Sequence, residues 1–115
     1  MASSGLKGSF PLTDDKINEE VSRTSPGAYA LGYVKNESFY IDYVGRSDTD
    51  VNDRLHDHVG KYSRFKYDYF GSAKAAFEKE CMLYHDFNPK DNEVHPARPN
   101  GTTWKCPVAS CDALD

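Results

Sequence analysis

GAYALGYVKNESFYIDYVG, residues Gly27 to Gly45, holds two short runs rich in Tyr, Val, Ile and Phe, joined through Lys35-Asn36-Glu37. Side chains of this kind fit a pleated, half-buried surface and the polar joint suits a turn, so the stretch predicts a β-hairpin. Loop length decides its faces. A three-residue loop sets Tyr29 opposite Tyr43, with Leu31, Tyr33, Phe39 and Ile41 on the same face; an even loop sends the two tyrosines to opposite faces. The odd loop is the preferred reading.

Moving outward, Arg46-Ser47-Asp48-Thr49-Asp50 is a polar link that can cap a helix over about Asp50 to Tyr62, with Val51, Leu55, Val59 and Tyr62 on one stripe. At 100° per residue, Arg54 and His58 share a face, whereas His56 turns toward the polar side and solvent. Arg64 to Phe70 alternates in the period-two manner of a half-buried strand and completes a three-stranded antiparallel sheet. Ser72 can cap a helix to about Phe87, whose apolar face carries Ala73, Ala76, Phe77, Leu83, Tyr84 and Phe87. Glu80 projects from the middle of that face. A carboxylate there is costly unless paired, protonated or bound to a cation. The residues alone leave open an ion pair with Arg54, a hydrogen bond to a tyrosine, or a metal ion.

On the other side of the hairpin, Thr13 or Asp14 can cap a short helix to about Arg23, with Ile17 and Val21 as its apolar contacts. Residues 1–12, rich in Ser and Gly, read as flexible, with Phe10-Pro11-Leu12 able to tuck against the domain. The fold class is therefore α/β (α+β), a three-stranded antiparallel sheet flanked by helices. Residues 1–26 form an N-terminal extension, 27–93 the central domain, and 94–115 a C-terminal extension packed on it.

A chain of 115 residues with 38% hydrophobic content suits one compact domain. It lacks an apolar run of the roughly 20 residues that span a bilayer and a signal-peptide core at its start, so a cytoplasmic, non-membrane protein is expected. Cys81, Cys106 and Cys111 make no even disulfide framework, which fits a reducing compartment and leaves thiol ligation of a metal open. The net charge of -4 lacks the basic excess that supplies most non-specific DNA affinity. Nucleic-acid contact would rest on a local patch such as Arg46, Arg54, Lys61, Arg64 and Lys66, or on a metal.

The pair Gly27-Ala28-Tyr29 and Tyr43-Val44-Gly45 resembles the paired motif of the GIY-YIG nuclease superfamily. Arg54 and His58 fall where that superfamily carries an arginine and, one turn on, a His or Tyr, although Arg54 lies one residue further from Gly45 than is usual. Glu80 resembles the family's metal-binding glutamate, and Pro89-Lys90-Asp91-Asn92 its Pro-x-x-Asn. The resemblance spans about 65 residues and implies a divalent-metal-dependent endonuclease acting on DNA. In that reading Tyr29, Tyr43, Arg54, His58 and Glu80 are catalytic, Glu80 holds Mg²⁺ or Mn²⁺, and Arg46 and Asn92 serve substrate binding. The acidic balance implies weak DNA binding by the chain alone and leaves room for a protein partner. The alternative is a catalytically silent nucleic-acid or protein-binding module of the same fold.

The tail departs from the minimal nuclease pattern. Cys81 and His85 sit at i, i+4 on their helix, and Cys106 and Cys111 can fold back to meet them in a Cys3His set suited to structural Zn²⁺, with His95 as an alternative ligand.

Overall fold

The computed structural model describes residues 4–109, 111 and 113. Its elements run β1 (Lys7–Pro11), α1 (Asp14–Glu20), β2 (Gly27–Lys35), β3 (Ser38–Ser47), α2 (Val51–His56), β4 (Arg64–Tyr69) and α3 (Ala73–Phe87). The hairpin forms as β2 and β3, but around a two-residue turn. Lys35 pairs with Ser38, and Asn36 and Glu37 take φ of 52° and 66°, the left-handed pair that a tight hairpin turn uses. An even turn alone would have split Tyr29 from Tyr43. The register shifts between Leu31↔Tyr43 and Gly32↔Ile41, so Asp42 is an extra residue on β3. This β-bulge restores the two tyrosines to one face. Gly32 lies inside the bulge, where a Cβ would collide with the Tyr40 carbonyl. The same bulge corrects the facing of Phe39 and Ile41, which pack on the opposite face, beside Ala28, Ala30 and Val44.

The sheet has four strands, in the order β1-β4-β2-β3, and every pairing is antiparallel. The expectation of three strands, with residues 1–12 flexible, is thus corrected. Lys7 to Pro11 pair along β4, Phe10 packs on Phe65 with ring centroids 5.5 Å apart, and Arg64 donates to the Ser9 hydroxyl and carbonyl. Pairing with an existing edge supplies an order that the local Gly-Ser composition lacks.

Helices cover both faces. On one, Ile17 and Val21 from α1 and its C-cap, with Val51 and Leu55 of α2, bury against Tyr29, Leu31, Phe65 and Tyr67. On the other, α3 lays Leu83, Tyr84 and Phe87 against Ala28, Ala30, Val44, Phe39 and Ile41. Thr13, Asp50 and Ser72 cap their helices through side-chain oxygens, each satisfying an otherwise orphan amide. The second helix is shorter than its apolar stripe implies. After His56 the amides of His58, Val59 and Lys61 bond to carbonyls three residues back, and Gly60 takes φ of +91°. Asp57-His58-Val59-Gly60 is a poor helical sequence, so the chain tightens into turns while Val59 and Tyr62 still reach the core. His56 also departs from its expected solvent exposure: its ring meets Asp14 and Asn18, tying α2 to α1. Among the described residues no helix is long and apolar enough to cross a membrane.

Candidate functional site

β3 is an edge strand, and the candidate site wraps around that edge at Gly45. Tyr29 on β2 pairs with Gly45, and its ring lies over the glycine so closely that a Cβ there would sit 2.5 Å from Tyr29 Cζ and Oη. The missing side chain lets the phenol of a core strand reach the rim of the sheet. Tyr43 lies beside it, with centroids 6.5 Å apart, and the turns after α2 bring the His58 ring within 5.5 Å of Tyr29 and 5.3 Å of Tyr43. Arg46 is opposite Ala28 and so belongs to the other face, where α3 presents Glu80.

Tyr29, Tyr43, Arg46, Arg54, His58 and Glu80 all line one open cleft of about 470 Å³. Hairpin, turn and long helix each contribute, so the cleft exists only in the folded sheet. Lys61, one of the basic residues of the expected nucleic-acid patch, lines it as well, together with Asp48 and Asp57, which the sequence does not single out. Asp48 could have been singled out, because it follows Arg46 by two residues and strand alternation gives both one face.

Glu80 is 8% exposed, as its place on an apolar face requires. Its partner is Arg46, neither Arg54 nor a tyrosine: Arg46 Nη1 donates to Glu80 Oε1 at 2.7 Å and Arg46 Nε to Asp48 Oδ1 at 2.8 Å. The third donation, Nη2 to the carbonyl of Ala97 at 2.7 Å, brings the C-terminal segment to the cleft wall. Burial nevertheless holds the Glu80 carboxyl above its ordinary pKa, with Arg46 only partly offsetting it. Asp48 adds to the negative charge. The two carboxylates each spend one oxygen on Arg46, and the second oxygen of each is the group that a hard cation would bind.

Tyr29 is 2% exposed, and burial raises its pKa far above that of a free phenol. It therefore keeps its proton, and its hydroxyl is hydrogen-bonded to His58 Nε2 at 3.0 Å. Burial lowers the pKa of His58, reinforced by Lys61 and Arg54 and opposed by Asp57, so the ring is neutral at pH 7, and in its Nδ1–H tautomer Nε2 accepts from the Tyr29 hydroxyl. Because the folded pKa lies below the unfolded 6.5, the unfolded chain binds the proton more readily, and stability falls as pH drops below about 6.5. For one proton the slope is bounded by about 1.4 kcal/mol per pH unit. Urea unfolding at pH 7.5 and 5.5 should show a larger acid-induced loss for the wild type than for His58→Gln; equal losses would contradict this origin.

Asn92 stands apart from the cleft. Its side chain accepts from the Val44 amide at 2.8 Å and donates to the Val44 carbonyl at 2.9 Å, so both ends of the amide are engaged by the strand that carries Tyr43 and Gly45. That geometry suits a brace for β3; Asn92 is absent from the cleft lining and instead lines an adjoining cavity that shares Tyr43, Glu80 and Ala97 with it.

A second cluster lies at the last turn of α3. His85, His95, Cys106 and Cys111 place their ligand atoms within 4.8 Å of one another and could hold a metal ion. This corrects the expected Cys81, His85, Cys106 and Cys111 set. Cys81 is fully buried and outside the group, and His95 takes its place. No protein-family model, curated protein or solved structure matches the chain.

Proposed function

We propose that this chain is a divalent-metal-dependent endonuclease of the GIY-YIG type, hydrolysing phosphodiester bonds in DNA. The observation that carries the reading is the convergence of Tyr29, Tyr43, His58, Arg54 and Glu80 on one solvent-open cleft. Those residues lie far apart in sequence, and together they offer a proton path, a phosphate clamp and a cation ligand.

Glu80, with Asp48 beside it, would hold a single Mg²⁺ or Mn²⁺, which supplies Lewis-acid polarisation of the phosphate and stabilises the leaving oxygen. The proton chemistry belongs to the chain. Tyr29 is too strongly protonated to act as a phenolate base. A water against Tyr29 Oη instead gives its proton to that oxygen as the phenolic proton moves to His58 Nε2, so His58 is the net base and the tyrosine ends neutral. Tyr43 orients the same water by hydrogen bonding. Arg54, exposed at the cleft, meets the charge that grows on the phosphoryl oxygens. Lys61 extends the positive patch along the same wall.

A second reading, a silent DNA- or protein-binding module, is favoured by the Arg46–Glu80 pair, which already satisfies part of the carboxylate, and by the net charge of -4. Cleavage of supercoiled plasmid and branched DNA with Mg²⁺ or Mn²⁺ separates the two. Wild type should nick and linearise DNA, and Arg54→Ala should be slower by about 10²–10³-fold, as for loss of one charge-stabilising donor. Equal rates for both proteins, or no cleavage by either, would leave only the binding module.

A further inference from the structure

The C-terminal segment has no regular structure after α3 among the described residues, yet it returns to touch the cleft through Ala97. Something must hold it there. Hydrophobic contact contributes at Trp104, whose ring lies 5.7 Å from Phe77 of α3. We propose that His85, His95, Cys106 and Cys111 bind one Zn²⁺, and that the ion clasps residues 94–111 to the end of α3 as a strap along the cleft.

The ligand atoms lie within 4.8 Å of one another. Tetrahedral Zn²⁺ with bonds of about 2.0–2.3 Å needs ligand separations of roughly 3.3–3.8 Å, so small torsional shifts close the site. Cys111 Sγ and His95 Nε2 are already 3.4 Å apart. The tautomer of His95 is also arranged for ligation: Nδ1–H donates to the Pro96 carbonyl at 2.8 Å, which leaves the Nε2 lone pair facing the cluster. Such an outer hydrogen bond on the far nitrogen is the usual companion of a metal-bound imidazole. Tyr84 fixes the two rings further, edge-on to His85 at 5.4 Å and to His95 at 5.3 Å.

The donor set of two imidazoles and two thiolates selects a borderline-soft ion over Mg²⁺ or Ca²⁺. The cysteines are free, and His85 is exposed while the other three ligands are half-buried, which gives an ion a way in. One ligand comes from α3 and three from the segment beyond it, so binding closes a loop between His95 and Cys106 that contains Ala97. The ion would therefore hold the carbonyl that receives Arg46 Nη2.

The test uses the full chain, purified reduced from zinc-supplemented medium. About one Zn²⁺ per chain is expected by elemental analysis, and replacement by Co²⁺ should give the intense visible bands of a tetrahedral site with thiolate charge transfer. His95→Ala and Cys111→Ala should each weaken Zn²⁺ binding by at least about 100-fold, whereas Cys81→Ala should keep it. Chelation of the wild type should shift the emission of Trp104, the single tryptophan, and speed proteolysis within residues 94–109. Absence of a tetrahedral Co²⁺ spectrum in the wild type would overturn the proposal even if variants misfold. So would loss of metal in Cys81→Ala with retention in His95→Ala. None of these readouts depends on DNA cleavage.

Discussion

Glu80→Gln should leave a folded protein whose metal-dependent DNA cleavage is reduced by roughly 10³-fold, the rate equivalent of the several kcal/mol that a bound cation contributes to phosphoryl chemistry. The substitution keeps the size of the side chain and an oxygen that accepts from Arg46 Nη1, now 2.7 Å from the carboxylate. Arg46 also retains Asp48 and the Ala97 carbonyl. Removing a charge from a buried position recovers desolvation cost while weakening the pair, so stability should change by about 1–2 kcal/mol at most. Plasmid nicking with Mn²⁺, read beside a thermal melt, checks both halves. Cleavage by Glu80→Gln at the wild-type rate would remove the carboxylate from the mechanism and, with it, the proposed cation site.

The largest effect on stability is expected at Phe77. Its side chain is fully buried, the Arg46 guanidinium lies 5.1 Å from its ring centroid, and Trp104 packs on it from the C-terminal segment. Phe77→Ala should cost about 3–5 kcal/mol through lost burial and the cavity left behind. That is a large part of the roughly 5–15 kcal/mol that keeps a domain folded. Phe77→Leu, which fills most of the space, should cost far less. Urea unfolding followed by circular dichroism distinguishes the two. A Phe77→Ala loss below about 1 kcal/mol, small against the usual range, would mean that the ring does not support the site from behind.

The sequence shows this fold unevenly, and the reasons are physical. The third helix was legible because Ser72 is a strong N-cap and the apolar stripe through Ala76, Phe77 and Leu83 follows the helical period. The burial of Glu80 followed from the same stripe. Its partner did not: Arg46 and Glu80 are 34 residues apart, and only the stacking of α3 on the face opposite Tyr29 brings them together. The facing of the two tyrosines was foreseen, though by a different route, since one bulge at Asp42 compensates one residue fewer in the turn. Neither event has a local signature that outweighs the other. β1 was illegible because its order comes from β4, and α2 was overextended because a periodic stripe persists through turns as well as through a helix. In the tail, helical spacing favours Cys81 as a ligand, but Cys81 is fully buried and lies outside the group that His85, His95, Cys106 and Cys111 form, and nothing local in the sequence marks the return of His95.

The brace at Asn92 has a consequence for the protein in concentrated solution. β3 ends the sheet, and an uncovered outer strand invites another chain to add to it. Here the Asp91 amide bonds to the Asp42 carbonyl, and the Asn92 side chain occupies both backbone groups of Val44. An incoming strand would meet this rim already occupied at Asp42 and Val44, at the bulge and just beyond it. The loop that steadies the motif thereby acts as a guard against fibrillar self-association.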